Sequence, residues 1–589
     1  MGSERNQILA GLFEQMADLM EIQGEDPFRI NTYRKVGRIL AELPADAADL
    51  LADGSLAKIQ GIGKSSIAKI QEFLSTGAIS AHQQLLAKFP ASLLHLLDVP
   101  GLGPKGVKAV YEQLHVKDIE GLKAAIANGS LAALPGFGQK KVAAIAKGIE
   151  FLERSSGRIR LDQADAVAGL VTDWLRRQPG IQMVSPAGSL RRCCETIGDV
   201  DILVTLSSRS SQQDAERLLA DFVKANFVKE PLAAGSTKAS ALIDIGGPVV
   251  QVDVRVVPNA SFGAALQYFT GSKQHNVKLR EIAIKKGLKL NEYALFEVHG
   301  QKEHAIAGPD EKEIYTRLGL RPIDPRLRED RGEIEAAAEG TLPDLIELGQ
   351  IRGDLHVHTI ASDGALDLEE LADMAMALGY QYLCITDHSQ SSAIANGLDA
   401  ARLAKQIDRI RRLDSRLKGL TLLAGTEVDI LADGRLDYDD KVLADLDFVI
   451  ASVHSGLSSP REKVTMRTLK AMDNPYVNCI GHPTGRLLGE RDAMDLDIAA
   501  VIEHAARTHT ALEVNANPYR LDLKDLHCRM AIQAGVKLAI GTDSHDREGL
   551  SLMIYGVNTA ARGWATEGDI LNCMTLAQLR RWVAKKRPR

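Results

Sequence analysis

The stretch GDLHVHTIASDGALDLEELADMAMALGYQYLCITDH (353–388) decides the architecture of the C-terminal part of this chain. Two short apolar runs, GDLHVH and YLCITDH, flank a segment of helical periodicity, and each run ends in histidine. Five more runs continue the alternation: LLAGTEV, FVIASVH, NCIGHP, ALEVNA and KLAIGTDSH. Seven strand-like runs separated by helical segments predict a parallel α/β barrel.

Side chains two apart on a strand share a face, so His356 and His358 offer two imidazoles to one metal. Asp363 follows shortly after, and the later runs supply His388, Glu427, His454, His482, Asp543 and His545 near the strand ends where barrel enzymes carry their active sites. Any one of these histidines is readily explained as a packed residue, but six at successive strand ends are not. Nine nitrogen and oxygen ligands suffice for up to three ions, and the lack of cysteine among them suits Mn²⁺ or Zn²⁺ at a hydrolytic centre. The set resembles the PHP (polymerase and histidinol phosphatase) domain over about 350–570. That resemblance implies a distorted (β/α)7 barrel. It places His356, His358, Glu427 and Asp543 around one metal, Glu427, His454 and His482 around a second, and Asp363, His388 and His545 around a third. The implied chemistry is metal-assisted hydrolysis of a phosphate ester. His504, His509 and His527 lie in helical stretches and read as surface or packing residues.

Upstream, RLGLRPIDPRLREDRGEIEAAAEGTLPDLIELGQIRGD (317–354) is charged, holds three prolines and has little apolar periodicity, so 321–350 reads as a linker. Such a tether would raise the local concentration of one site for the product of another.

Before it, GSLRRCCETIGDVDILV (188–204) puts Asp199 and Asp201 on one face of a strand, and VQVDVRVV (250–257) brings Asp253 from another. Three converging carboxylates can hold two Mg²⁺ or Mn²⁺ ions for nucleotidyl transfer. Gly188, Ser189, Arg191 and Arg192 are placed to grip triphosphate oxygens. A DxD pair alone is more often a surface acid pair, and the preceding GS turn shifts that balance. The section QYFTGSKQHNVKLREIAIKKGLKLNEYALF (267–296) resembles the nucleotide- and template-contacting part of family X DNA polymerases. The resemblance assigns Tyr268 and Phe269 to the sugar of an incoming dNTP, Asn276 to its base edge, and Arg280 to the template, with Gly198 and Gly271 in the same nucleotide site. Core packing is the alternative for the aromatic pair.

Residues 1–155 read as helices joined by Gly/Pro turns. GIGKSS (61–66), GLGPKG (101–106) and GFGQKK (136–141) form an internal repeat. In each, a G-x-G turn precedes a helix, so that backbone N–H groups and a nearby lysine face a phosphate. A dinucleotide fingerprint would need a preceding strand, and none is predicted. The repeat resembles helix-hairpin-helix motifs. By that match Gly61, Gly63, Lys64, Gly101, Gly103, Lys105, Gly136, Gly138 and Lys140 hold a DNA backbone without reading its sequence. PFRINTYRKVGRIL with the first hairpin resembles the lyase domain of DNA polymerase beta, which puts Lys69 at the Schiff-base position. A phosphate-contacting surface lysine is the alternative, and Ser65 stands where the family has a second basic residue.

The resulting division is a lyase-like helical DNA-binding unit (1–90), a fingers-type helix-hairpin-helix region (91–155), an α+β nucleotidyltransferase palm (156–260), a thumb-type subdomain (261–320), the linker (321–350) and the PHP domain (351–575). Composition agrees with a multidomain chain: 589 residues at roughly 150 per domain give about four units. With 45% hydrophobic and 25% charged residues, disorder is excluded as the main state. No apolar run reaches the roughly 18 residues of a membrane span, and the N-terminus lacks a secretory layout, so a cytoplasmic location is expected. Six cysteines without a CxxC pair indicate neither a disulfide framework nor a thiolate zinc site. Residues 321–589 hold 33 Lys+Arg against 41 Asp+Glu, which disfavours non-specific capture of nucleic acid by this part unless bound cations offset the charge.

Together these readings predict a gap-filling repair polymerase joined to a 3′-end-processing phosphoesterase, acting as a monomer on gapped or nicked duplex DNA with dNTPs. One rival reading keeps only a phosphatase for small esters, carried on a DNA-binding platform. The other is a scaffold with structural metals.

Overall fold

The computed structural model describes residues 4–588 except 43–45, 60, 87, 90–92, 94, 95, 98, 100, 101, 155–157, 300 and 301. Up to 154 the described residues form helices, among them Glu4–Gln23, Pro27–Glu42, Lys64–Thr76, Pro104–Leu114 and Gln139–Arg154. Two apolar cores hold them, one around Leu9, Phe13, Val36, Leu40 and Ile70, the other around Leu93, Val107, Val110, Leu122 and Ile145. The G-x-G turns are fastened by their middle residues: Ile62, Leu102 and Phe137 are all buried. Burying that side chain leaves the flanking backbone at the surface, where Gly63 and Gly103 cap the following helices.

Between 158 and 256 a five-stranded sheet runs in the order Ile181–Pro186, Val200–Leu206, Val250–Val256, Lys238–Ile243, Val228–Ala234. Its β-branched residues pack beneath the helices Leu161–Arg176 and Gln212–Phe222. The central pair is parallel, and its register sets Asp201 opposite Asp253. Helices Phe262–Thr270 and Lys273–Lys285 and a three-stranded antiparallel sheet (288–307) follow.

The C-terminal part is a seven-stranded parallel sheet in sequence order: Gly353–Val357, Tyr382–Ile385, Thr421–Asp429, Phe448–Ser452, Cys479–Ile480, Ala511–Asn515 and Leu538–Gly541. Backbone bonds from Asp543 N to His356 O (2.9 Å) and from His358 N to Ser544 O (3.0 Å) join its last and first strands into a nearly closed barrel. Strand residues alternate between two cores. Leu383, Leu422 and Val449 pack with Leu371, Leu403 and Val464 of the surrounding helices. Tyr382, Cys384, Leu423, Phe448 and Ile450 line an inner core plugged by Leu579, Trp582 and Val583 of the C-terminal helix Leu576–Ala584.

The stretch expected to be a linker is folded. Ile323, Leu327, Ile334 and Ala337 are buried in one core with Leu279, Ile314 and Tyr315. Glu333 bonds the buried His275 ring (2.7 Å), whose other nitrogen meets Tyr315 OH at 2.9 Å. Ion pairs then fasten this stretch to its neighbours on both sides: Arg331 to Asp525 (2.9 Å), Glu329 to Arg562 (3.1 Å) and Glu329 to Arg192 (2.9 Å), with Arg562 and Asp525 also paired to each other (2.8 Å). Charge density and prolines concealed it, because a short helix and two 3₁₀ turns bury too few apolar residues to make a periodic pattern. The palm also reaches the barrel directly, through Glu195 to Arg486 (2.7 Å) and through Arg160, whose guanidinium lies 3.5 Å over the Tyr519 ring. No helix among the described residues is long and apolar enough to cross a membrane.

Candidate active sites

In the palm, Asp199 precedes the strand Val200–Leu206 and Asp201 lies within it, so both reach the face that Asp253 supplies from the neighbouring strand. Burial and the carboxylates of Asp199 and Asp253 push Asp201 up to about 7. Lys238 Nζ lies 2.5 Å from Asp253 Oδ2, and Gln251 donates to Asp253 Oδ1 at 3.2 Å. Crowded carboxylates of this kind fit a divalent cation, which would remove their mutual repulsion. Gly188 has φ +61°, and a Cβ there would lie 2.8 Å from Asp201 Oδ2, so glycine is what lets the GS turn close onto the aspartates.

The neighbouring residues are used differently from expectation. Arg191 is bound to Glu311 (2.7 Å), while Arg192 is bound to Glu329 (2.9 Å) and to the Thr270 carbonyl. Both therefore clasp the palm to later segments. Asn276 is buried, donating to Tyr268 O (2.7 Å) and accepting from Gln267 (2.6 Å), so its amide is occupied within the protein. Tyr268 and Phe269 stack edge to face at 5.1 Å, with Arg255 4.4 Å over the Phe269 ring. Ser189 is half-buried behind Gly188, Gly198 and Arg280 are exposed, and Gly271 ends its helix at φ +68°.

At the N-terminus, Lys64, Lys105 and Lys140 are exposed in the first turns of their helices, beside Gly63, Gly103 and Gly138. Gly61 and Gly136 adopt φ +110° and +82°, while Gly101 lies outside the described residues. Lys69 donates to Ser65 Oγ (2.9 Å) and stands 5.6 Å over the Tyr33 ring.

At the barrel mouth the structure brings the other nine residues together. Glu427 is the hub: Oε1 lies 2.9 Å from His482 Nε2 and 3.2 Å from His454 Nε2, and Oε2 lies 2.9 Å from His388 Nδ1 and 3.5 Å from His356 Nε2. Asp543 Oδ1 lies 3.1 Å from His358 Nε2 and 3.6 Å from His356 Nε2. Asp363 approaches His545 (3.4 Å) and His388 (3.7 Å). Three groups could each surround one ion: His356, His358 and Asp543; His388, Glu427 and His454; and His358, Asp363, His388 and His545. They differ from the expected sets in four respects: Glu427 is absent from the first group, His388 takes the place of His482 in the second, His482 falls in none of the three, and His358 joins the third as well as the first.

Divalent ions fit this cluster by the test of its unmet atoms. His356 Nε2, both ring nitrogens of His358, His388 Nδ1, His482 Nδ1 and Glu427 Oε2 are buried without a hydrogen-bond partner. Charges alternate to compensate. Against burial, Glu427 and Asp429 push His454 up to about 10, and Asp363 and Asp543 push His545 up to about 9. Burial together with His545 and His388 brings His358 down to about 3. Bound cations would displace the protons from His454 and His545. His482 (φ +24°) and Asp543 (φ +53°) hold strained backbone at the site.

Two further carboxylates stand behind the ligands and were not anticipated. Glu513 Oε1 takes His356 Nδ1 at 2.6 Å, and Asp429 takes His454 Nδ1 at 2.5 Å. Such contacts fix the tautomer that leaves the opposite nitrogen for a metal. The signals were present: an acid inside the apolar run ALEVN, and an acid two positions after Glu427. Arg520, 3.5 Å from Asp543, lines the same cavity of about 620 Å³.

A polymerase-beta-type nucleotidyltransferase palm and a PHP-type metal centre on one chain define a two-centre enzyme of nucleic-acid ends. Family models agree: helix-hairpin-helix domain over 4–79, SAM-like helix-hairpin-helix tandem over 93–150, DNA polymerase beta thumb over 265–329 and PHP domain over 354–517. The thumb match takes in the first residues of the supposed linker. The DNA polymerase/3′-5′ exonuclease PolX of Bacillus subtilis (strain 168) is 38% identical over 574 residues, 98% of each chain. The chain belongs to this PolX family of DNA polymerase/3′-5′ exonucleases. Shorter relatives carry only phosphatase names: one from Caldanaerobacter subterraneus subsp. tengcongensis is 30% identical over 203 residues (33% of this chain, 75% of its own). Another, from Shewanella sediminis, is 32% identical over 202 residues (33% and 77%).

Proposed function

We propose that this protein is a DNA-directed DNA polymerase that fills short gaps during repair and carries a 3′-5′ exonuclease or 3′-end-processing phosphoesterase in its barrel, with abasic-site processing as a further capacity. One observation carries the reading: a converged carboxylate triad and a nine-residue His/Asp/Glu cluster coexist in one chain. The first rival would leave Asp199, Asp201 and Asp253 gathered without use.

Asp199, Asp201 and Asp253 hold Mg²⁺ or Mn²⁺, and the Gly188–Ser189 turn offers backbone and hydroxyl donors to the triphosphate. Tyr268 and Phe269 press on the sugar, Arg280 faces the template, Asn276 acts by bonding the Tyr268 carbonyl, and the hairpin lysines grip the backbone of gapped or nicked duplex. Arg192 acts by fastening this site to Glu329. In the barrel, His356, His358, Asp363, His388, Glu427, His454, His482, Asp543 and His545 hold up to three Mn²⁺ or Zn²⁺ ions. Those ions supply Lewis acidity and offset charge developing on the phosphate oxygens. Glu513 and Asp429 keep His356 and His454 in their metal-binding tautomers. The protein works in the cytoplasm as a monomer.

A 5′-labelled gapped duplex with Mn²⁺ tests the reading. The primer should lengthen with dNTPs and shorten without them. A primer unchanged under both conditions refutes it.

A further inference from the structure

A second cavity, of about 520 Å³, opens beside the metal centre, and Ser455, next to His454, lines both. Its wall is one face of the helix Arg461–Met472, where Lys463, Arg467 and Lys470 recur at i, i+4 and i+7. In a domain with excess acid, these three cations line one wall of the hollow. Its one lining carboxylate, Asp433, is paired with Arg435 at 2.7 Å.

Arg467 is the unusual member. It is 5% exposed, its Nε has no hydrogen-bond partner, and among the described residues no carboxylate pairs with it. Its guanidinium is held by Nη2 donating to the Gly456 carbonyl (3.2 Å). Gly456 has φ +61°, a left-handed backbone that favours glycine, and a Cβ there would crowd the Ser459 hydroxyl at 3.1 Å. Gly456 lies two residues beyond His454, so the arginine is anchored to the same loop as the metal centre. A buried guanidinium without a counter-charge is costly to the fold, which points to an anion arriving from outside. Ser455 and Ser459 add hydroxyl donors, and Lys470 is steadied by the Asp433 carbonyl (2.8 Å).

We propose that this cavity binds a backbone phosphodiester of the DNA strand whose 3′ end occupies the metal centre, at least one nucleotide upstream of the bond being cleaved. The inference rests on the exonuclease reading above. It makes the cavity a strand-tracking subsite that holds the substrate between successive cleavages and is idle with substrates lacking an upstream phosphate.

The test compares full-length wild type, Lys463→Gln/Lys470→Gln, Arg467→Gln and Arg467→Lys on three Mn²⁺-supported substrates: single-stranded octanucleotide, dinucleotide and bis(p-nitrophenyl) phosphate. The lysine double variant alters only exposed positions and guards against misfolding of the arginine variants. For the octanucleotide, KM should rise about tenfold in the lysine variant, and the log–log salt slope should flatten by about 0.7 per charge removed. Dinucleotide and small-ester turnover should stay at wild-type values, and Arg467→Lys should recover part of the loss of Arg467→Gln. Unchanged octanucleotide KM and salt slope in the lysine variant overturn the proposal while leaving the exonuclease reading intact. So does a change confined to inhibition by the released mononucleotide. Wild type that cleaves the small ester but no oligonucleotide overturns both.

Discussion

Glu513 Oε1 lies 2.6 Å from His356 Nδ1, and its other carboxylate oxygen accepts the backbone N–H of His482. One buried carboxylate therefore holds two candidate metal ligands, one in the strand Gly353–Val357 and one just after Cys479–Ile480. Glu513→Gln should weaken Mn²⁺ binding by roughly 10- to 100-fold, read as a shifted metal dependence of bis(p-nitrophenyl) phosphate hydrolysis. A metal titration superimposable on wild type would show that the contact does not orient the ligand.

The two centres should separate by mutation. Asp201→Asn should abolish primer extension and spare Mn²⁺-dependent trimming, and His356→Ala should do the reverse. In EDTA, Asp201→Asn should also raise the melting temperature of the palm by relieving the repulsion from Asp199 and Asp253, with the advantage lost once Mg²⁺ is added. Scanning calorimetry with and without Mg²⁺ measures this.

Gly188→Ala combines a left-handed backbone (φ +61°) with a Cβ 2.8 Å from Asp201 Oδ2. Extension should fall at least tenfold, and the palm should lose about 1–3 kcal/mol of stability. Trimming by the barrel is the internal control and should not change.

Acid should undo the docking of palm and thumb onto the barrel. Burial works against the Asp525 carboxylate, yet Arg562 and Arg331 hold it down at about 2. A depressed carboxylate contributes stability that is present above its ordinary value of 3.8 and is lost as pH falls through about 2, here roughly 2 kcal/mol. Wild type should lose melting temperature steeply between pH 4.5 and pH 2.5. Asp525→Asn should start lower and show a shallower dependence over that range.

The barrel and its nine-residue cluster are legible in the sequence because most of the candidate ligands stand in or just after short apolar runs, so strand alternation and site position reinforce one another. The Asp199–Asp201 pair is legible because the two acids stand two positions apart where an apolar run begins, Asp199 just before the strand and Asp201 within it. Glu513 and Asp429 are harder, since a carboxylate inside a strand signals burial only when its partner is known, and His356 and His454 arrive from other strands. Arg192 and Asn276 show the opposite limit. Their types suit phosphate and base, but only the fold shows that Glu329 and the Tyr268 carbonyl already engage them. The stretch 321–350 misleads because its apolar residues are few and the acid that pins Arg331, Asp525, lies far along the chain.

That ordered stretch bears on how a DNA end travels. With Ile323 and Ile334 packed and Arg331 pinned to Asp525, neither catalytic body swings toward the other on a tether, so the journey between them falls to the nucleic acid. A primer terminus passing from palm to barrel would have to part from its template. Proofreading by this enzyme would then be paced by the fraying of base pairs, faster at mismatched or A·T-rich ends than at G·C-rich ones.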